Sequence, residues 1–153
     1  MLFVIWKPNV TVASVIEQDG RFLMVKERAA DMLVYNQPAG HLDEGESLLN
    51  AAIRETREET AWEFVPEAVI GIYRWVHDDS GLTFLRIAFC GHALHHHAEQ
   101  PLDEGIVEAL WLSHEALLEH AQHGRLRSPL VLRCVDDYRA GIRYPLSILQ
   151  DVF

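Results

Sequence analysis

Between Gly40 and Trp62 the chain reads GHLDEGESLLNAAIRETREETAW, and the spacing of its glutamates sharply limits what this stretch can become. Leu48, Leu49, Ala52, Ile53 and Thr56 recur at helical spacing behind Ser47, a good N-cap residue. The reading is a helix from about Ser47 to Thr60 that buries those side chains. A helix turns once in about 3.6 residues, so Glu55, Glu58 and Glu59 share a face. Like charges at these spacings repel by roughly 0.2–0.5 kcal/mol per pair, and no lysine is interleaved to relieve them. A carboxylate face behind a Gly-rich turn suits a hard cation, since Mg²⁺ takes one or two carboxylates and leaves room for substrate phosphates. The bland alternative is a solvated acidic helix. Glu46 lies in the turn, and Arg54 stands four residues before Glu58. Arg54 can therefore bridge to Glu58 or reach back to Glu46, holding the turn on the helix.

The segment resembles the signature of the Nudix hydrolase family, G-x5-E-x7-R-E-U-x-E-E-x-G-U, where U is bulky and apolar. Gly40, Glu46, Arg54, Glu55, Glu58, Glu59 and Trp62 match it. Thr56 stands where the family has an aliphatic residue, and Ala61 where it has glycine. Neither is a ligand position, so the departures bear on helix packing and helix exit. Ala61 is expected at negative φ, with the helix running slightly further. NQPAGHL at 36–42, LRSPLV at 126–131 and RYPL at 143–146 look like the NudJ-type phosphatase branch of the family.

The resemblance implies an α+β fold, a Nudix-type α/β/α sandwich with a mixed sheet between helices. It implies catalytic and metal roles for Glu55, Glu58 and Glu59, with the Gly40 carbonyl joining the metal shell. Mg²⁺ is the implied cofactor and Mn²⁺ a substitute. It further implies release of orthophosphate from nucleoside di- and triphosphates and from thiamine pyrophosphate-like compounds. One rival is a nucleoside triphosphate pyrophosphohydrolase that releases pyrophosphate. Another, of a different class, is a non-catalytic Nudix-fold nucleotide-binding module, whose mark would be lost carboxylates. An isomerase on the same fold would need a cysteine–glutamate pair that the spacing does not place.

A length of 153 residues and 49% hydrophobic content suit a single domain over 1–153. A net charge of −10 argues against a nucleic-acid groove, which needs clustered Lys and Arg. It leaves a small phosphorylated substrate open, because a bound divalent cation reverses the local field. Cys90 and Cys134 have neither ligand spacing nor a disulfide framework; they read as buried small hydrophobes in a reducing cytoplasm. Met1 to Trp6 is apolar but too short for a span or a signal core. No membrane partner is expected, and the protein is read as a monomer or homodimer.

Val10–Glu17, the Gln18-Asp19-Gly20 turn and Arg21–Lys26 read as a hairpin. Glu27–Val34 reads as a loop, Tyr35–Pro38 as a short strand, and Pro66 as a break before a strand at Val69–His77. Asp78–Gly81 is a turn before the strand Leu82–Leu94, and Glu99–Gly105 a loop before the strand Ile106–Leu112. Ser113 caps a helix to about His120, and Ser128-Pro129 opens another to about Ala140. Glu104, on a loop where family members often bring a carboxylate to the metals, is a catalytic candidate; Glu108 is weaker. Lys26, Arg28, Arg74 and Arg86 are candidates for phosphate oxygens, and Tyr35, Tyr73 and Trp75 for a flat ring. His92 and His95–His97 read as solvent-exposed.

Overall fold

The computed structural model describes residues 2–153. The strands are β1 (Asn9–Gln18), β2 (Arg21–Ala29), β3 (Met32–Asn36), β4 (Ala39–His41), β5 (Trp62–Val76), β6 (Thr83–His96) and β7 (Ile106–Ser113). The helices are α1 (Leu48–Thr60), α2 (His114–Gln122) and α3 (Leu130–Arg139), with a 3-10 turn at Leu146–Ile148. The strands run β3-β2-β1-β6-β5, with β4 paired to β1 and β7 to β2. β1 and β6 are parallel while the other pairings are antiparallel, so the sheet is mixed.

Side chains alternate across a strand, and here the alternation sorts the core onto two faces. Val12, Ile16, Leu23, Ile87 and Phe89 pack with Ala51 and Ala52 of α1. Val15, Phe22, Met24, Ala88 and Cys90 pack with Leu117 of α2 and Val131, Cys134 and Val135 of α3. This is the α+β sandwich expected.

The strand expected at Tyr35–Pro38 is the end of β3 at Tyr35 and Asn36, with Gln37 and Pro38 between it and the start of β4. Three further differences from the sequence reading have a clear physical cause. Glu27–Val34 is not a loop: β2 continues to Ala29 and β3 begins at Met32, with Ala30 at φ 53° in the connection. The segment folds on itself as a hairpin through the ladder from Val25↔Asn36 to Ala29↔Met32, and β7 supports it from outside at Glu27↔Ile106. Pro66 does not break its strand, because β5 shifts register between Pro66 and Ala68, where the missing N–H is tolerated. Opposite it stands Gly91, where a Cβ would collide with the Val65 carbonyl.

The third difference is Ala61. It sits at φ 62°, ψ 14°, a left-handed C-cap, and not at the negative φ expected. A Cβ makes this conformation cost roughly 1–2 kcal/mol. The surroundings enforce it: Ala61 N–H bonds to the Arg57 carbonyl at 2.8 Å, and its own carbonyl accepts from His97 N at 2.7 Å. The reversal sends the chain straight into β5.

Candidate active site

Helix α1 begins where expected, with Ser47 Oγ accepting from Asn50 N at 3.1 Å. Its apolar and small residues face the sheet, which leaves Glu55 and Glu58 half-buried at the opposite margin and Glu59 nearly buried. Arg54 organises this margin. Its Nε and Nη2 grip Glu46 at 3.0 and 2.7 Å, and Nη1 reaches Glu55 at 2.9 Å and Glu58 at 3.1 Å. Nη2 also donates to the His41 carbonyl at 3.1 Å, tying the turn to the helix. The hydrogen bonds from Arg54 hold the Glu46 carboxyl below its usual pKa.

Glu59 is 7% exposed and accepts from Ala39 N at 2.8 Å, which positions the backbone beside Gly40. Burial pushes its pKa up to about 9, and the nearby Glu27, Glu55 and Asp103 add to the shift. Burial raises Glu55 as well, with Glu58 and Asp103 pushing the same way against Arg54. Gly40 is not in the left-handed region; its role is space, since a Cβ there would run into the Glu55 carboxyl.

Asp103, on the loop before β7, joins Glu55 and Glu58. Oxygens of Glu55, Glu58 and Asp103 all lie within 4.8 Å of one another. Asp103 N donates to the Glu58 carbonyl at 3.0 Å, so the loop is pinned to α1. Such an all-oxygen set fits a hard divalent cation. Glu104 is exposed one residue further along, and Glu108 is exposed on β7 opposite Lys26. Spacing alone does not separate Asp103 from Glu104; the backbone bond to α1 does.

Beside the acidic margin lies a cleft of about 290 Å³ that includes Gly40 and His41 on one wall. Trp75 and Phe84, stacked with centroids 5.6 Å apart, form another. Arg86, Asn36, Glu27 and Arg127 complete its polar lining. Of the substrate candidates read from the sequence, Trp75 and Arg86 line this cleft; Glu27, Asn36 and Arg127 line it too and were not among them. Asn36 and Arg127 lay inside the strings NQPAGHL and LRSPLV without a physical reason to single them out. Lys26 and Tyr35 line a separate depression with His123 and Arg125, and the Tyr35 ring stacks on His120 at 4.1 Å. Arg28 is exposed and Tyr73 donates to Asp137 at 2.8 Å. Alternation along β2 and β3 separates Glu27 and Asn36 from Lys26, Arg28 and Tyr35.

His92 pairs with Glu67 at 2.5 Å and His97 with Glu63 at 3.0 Å, so these histidines decorate the far ends of β5 and β6. Cys90 and Cys134 are buried and free. Among the described residues no helix is long and apolar enough to cross a membrane.

A mixed sheet thus lies between helices, with a clustered carboxylate margin beside a cleft of about 290 Å³. The NUDIX domain model matches residues 6–133, and the chain belongs to the Nudix family. It is 40% identical over 146 residues to Phosphatase NudJ of Escherichia coli K12, covering 95% of this chain and 93% of that protein. A solved NUDIX hydrolase from Nitrosomonas europaea superposes with a TM-score of 0.89 at 47% identity, covering 95% of this chain and 98% of that one. The NUDIX domain of Shewanella oneidensis NrtR, solved with ADP ribose, shares the fold at a TM-score of 0.70 and 17% identity, covering 90% of each chain. The protein is a hydrolase acting on diphosphate linkages.

Proposed function

We propose that this protein is a Mg²⁺-dependent phosphatase, with Mn²⁺ as a substitute, that releases orthophosphate from nucleoside di- and triphosphates and thiamine pyrophosphate-like compounds. The observation that carries the reading is the convergence of Glu55, Glu58 and Asp103 oxygens within 4.8 Å at the edge of the Gly40 cleft. Glu55, Glu58 and Asp103 would hold the cation, with Glu59 and the Gly40 carbonyl beside them and Glu104 at the margin. A divalent cation there supplies charge neutralisation on the phosphate and a more acidic water.

The chain's own residues do the positioning. Glu59 fixes the Ala39–Gly40 backbone by accepting from Ala39 N with one carboxyl oxygen. Arg54 holds the Glu46 turn and aligns Glu55 and Glu58. Trp75 and Phe84 offer an apolar wall for a flat ring, while Arg86 offers charge to phosphate. The 40% identity to a phosphatase over 146 residues supports terminal attack. The net charge of −10 and two buried free cysteines fit a single-domain cytoplasmic protein, monomer or homodimer, acting on small molecules rather than nucleic acid or membrane.

The deciding experiment incubates a nucleoside triphosphate, and separately thiamine pyrophosphate, with Mg²⁺ and enzyme, without added pyrophosphatase. Orthophosphate with a nucleoside diphosphate intermediate is expected. Stoichiometric pyrophosphate and monophosphate would transfer the case to the pyrophosphohydrolase reading.

A further inference from the structure

Arg86 is a buried cation with no carboxylate in direct contact among the described residues; Glu27, across the same cleft, feels its charge without touching it. It lies in the middle of β6, is 5% exposed, and lines the cleft. Its guanidinium donates to Gln37 Oε1 at 2.9 Å and Asn36 Oδ1 at 3.3 Å, and approaches Cys134 Sγ at 3.9 Å. The amide partners are neutral, and burial pushes the Cys134 thiol pKa up, keeping it neutral too. Gln37 is itself locked by donating to the Val131 carbonyl at 2.7 Å, so it holds the guanidinium in place. The Nε–H of Arg86 is buried with no partner. Among the described residues no carboxylate forms an ion pair with it. A buried charge with no direct counter-ion is costly, and Asn36, bonded to both Arg86 and Glu27, is its link to a carboxylate.

A second guanidinium borders the same cleft. Arg127 is half exposed and only loosely paired to Glu27, at 3.6 Å. Its backbone is firmly held, since Arg127 N donates to the Tyr35 carbonyl at 2.8 Å and Tyr35 N to the Arg125 carbonyl at 2.8 Å. Ser128 and Leu130, at the start of α3, line the cleft beside it, where the helix dipole also favours an anion. Glu27 opposes an anion here, but two guanidiniums face one carboxylate across the lining.

We propose that Arg86 and Arg127 form a second phosphate subsite in the cleft, separate from the carboxylate margin and independent of metal. The proposal deepens the hydrolase reading and rests on it for which phosphate fills the subsite: the one next to the phosphate that a cation at Glu55 and Glu58 would bind. Arg86, already oriented by Gln37 and Asn36, gains the anion its burial lacks. Arg127 closes over that anion from the solvent side. Compounds with two linked phosphates engage both sites at once, and a monophosphate product still occupies this one.

The test is calorimetric titration of the full-length protein in EDTA with AMP, inorganic phosphate and adenosine. AMP and inorganic phosphate are expected to bind without metal, and adenosine at least tenfold more weakly than AMP. Arg127→Gln and Arg86→Gln are each expected to weaken AMP at least tenfold. Arg127 is half exposed, so its variant keeps the test alive if Arg86→Gln does not fold. Absence of metal-free AMP binding, equal affinity for adenosine, or full affinity in Arg127→Gln would overturn the subsite. Failure of phosphoanhydride turnover alongside Arg-dependent AMP binding would sink the hydrolase reading alone; turnover without metal-free binding would sink the subsite alone.

Discussion

Thr56 of α1 and Ser14 of β1 meet in the buried interface between helix and sheet, their hydroxyl oxygens 2.8 Å apart. Thr56 Oγ1 also lies 2.7 Å from the Ala52 carbonyl. A carbonyl can only accept, so the Thr56 proton goes to Ala52 and Ser14 donates to Thr56. The aliphatic position of the Nudix signature has here become half of a polar pair, and both residues are fully buried.

Thr56→Val should cost about 1–3 kcal/mol, because it strands the Ser14 hydroxyl in the core. The double variant Thr56→Val with Ser14→Ala should recover much of the loss, since neither polar group remains. Urea unfolding of both single variants and the double checks this. Strictly additive losses would show that the pair is not coupled.

Asp103 and Glu104 are adjacent acids with different surroundings. Asp103→Asn should lower Mg²⁺-dependent turnover at least about tenfold, and Glu58→Gln at least about a hundredfold, as for other groups that stabilise transition-state charge. Glu104→Gln should change it less than about threefold. Initial rates at saturating Mg²⁺ decide the matter, and a larger loss in Glu104→Gln than in Asp103→Asn would assign the loop carboxylate to Glu104.

Glu59 gives the metal-free protein a specific pH dependence. Its folded pKa, about 9, lies above the ordinary value of 4.5, so between these pH values the folded chain holds a proton that the unfolded chain releases. Stability from this group is full below pH 4.5 and declines as pH rises through about 9, by at most ~1.4 kcal/mol per pH unit. Unfolding midpoints in EDTA from pH 5 to 9 should fall for the wild type and fall less for Glu59→Gln. Equal slopes would mean that Glu59 is ionised throughout.

Ala61 tests the helix exit. Ala61→Val should destabilise by more than about 2 kcal/mol, since a β-branched residue at φ 62° is a steric outlier and the site is 2% exposed. Ala61→Gly relieves the strain but loses a buried methyl and adds unfolded-chain entropy, so it should stay within about 1 kcal/mol. Thermal unfolding separates the two, and a Val variant as stable as the Gly variant would contradict the left-handed cap.

Helix α1, its Ser47 cap and the nearness of Glu55 to Glu58 were legible in the chain, because helical period and capping are local relations; Glu59 instead turns to Ala39 N, and Asp103 stands with Glu55 and Glu58. The Arg54–Glu46 clasp was legible for the same reason, as both residues sit within one turn–helix unit. Asp103, Arg127 and Asn36 were not. Each is placed by pairings outside its own segment: Asp103 N to the Glu58 carbonyl at the carboxylate margin and, at the cleft, Arg127 N to the Tyr35 carbonyl and Asn36 opposite Val25. Ala61 shows the same limit from the other side, since its backbone is settled by His97 and the start of β5 rather than by its own preference. By itself the sequence determined the helix and the acidic face that it carries. Tertiary structure alone decided which loop acid completes that face and which arginine is buried without a carboxylate, because strand register and loop docking depend on contacts between distant residues.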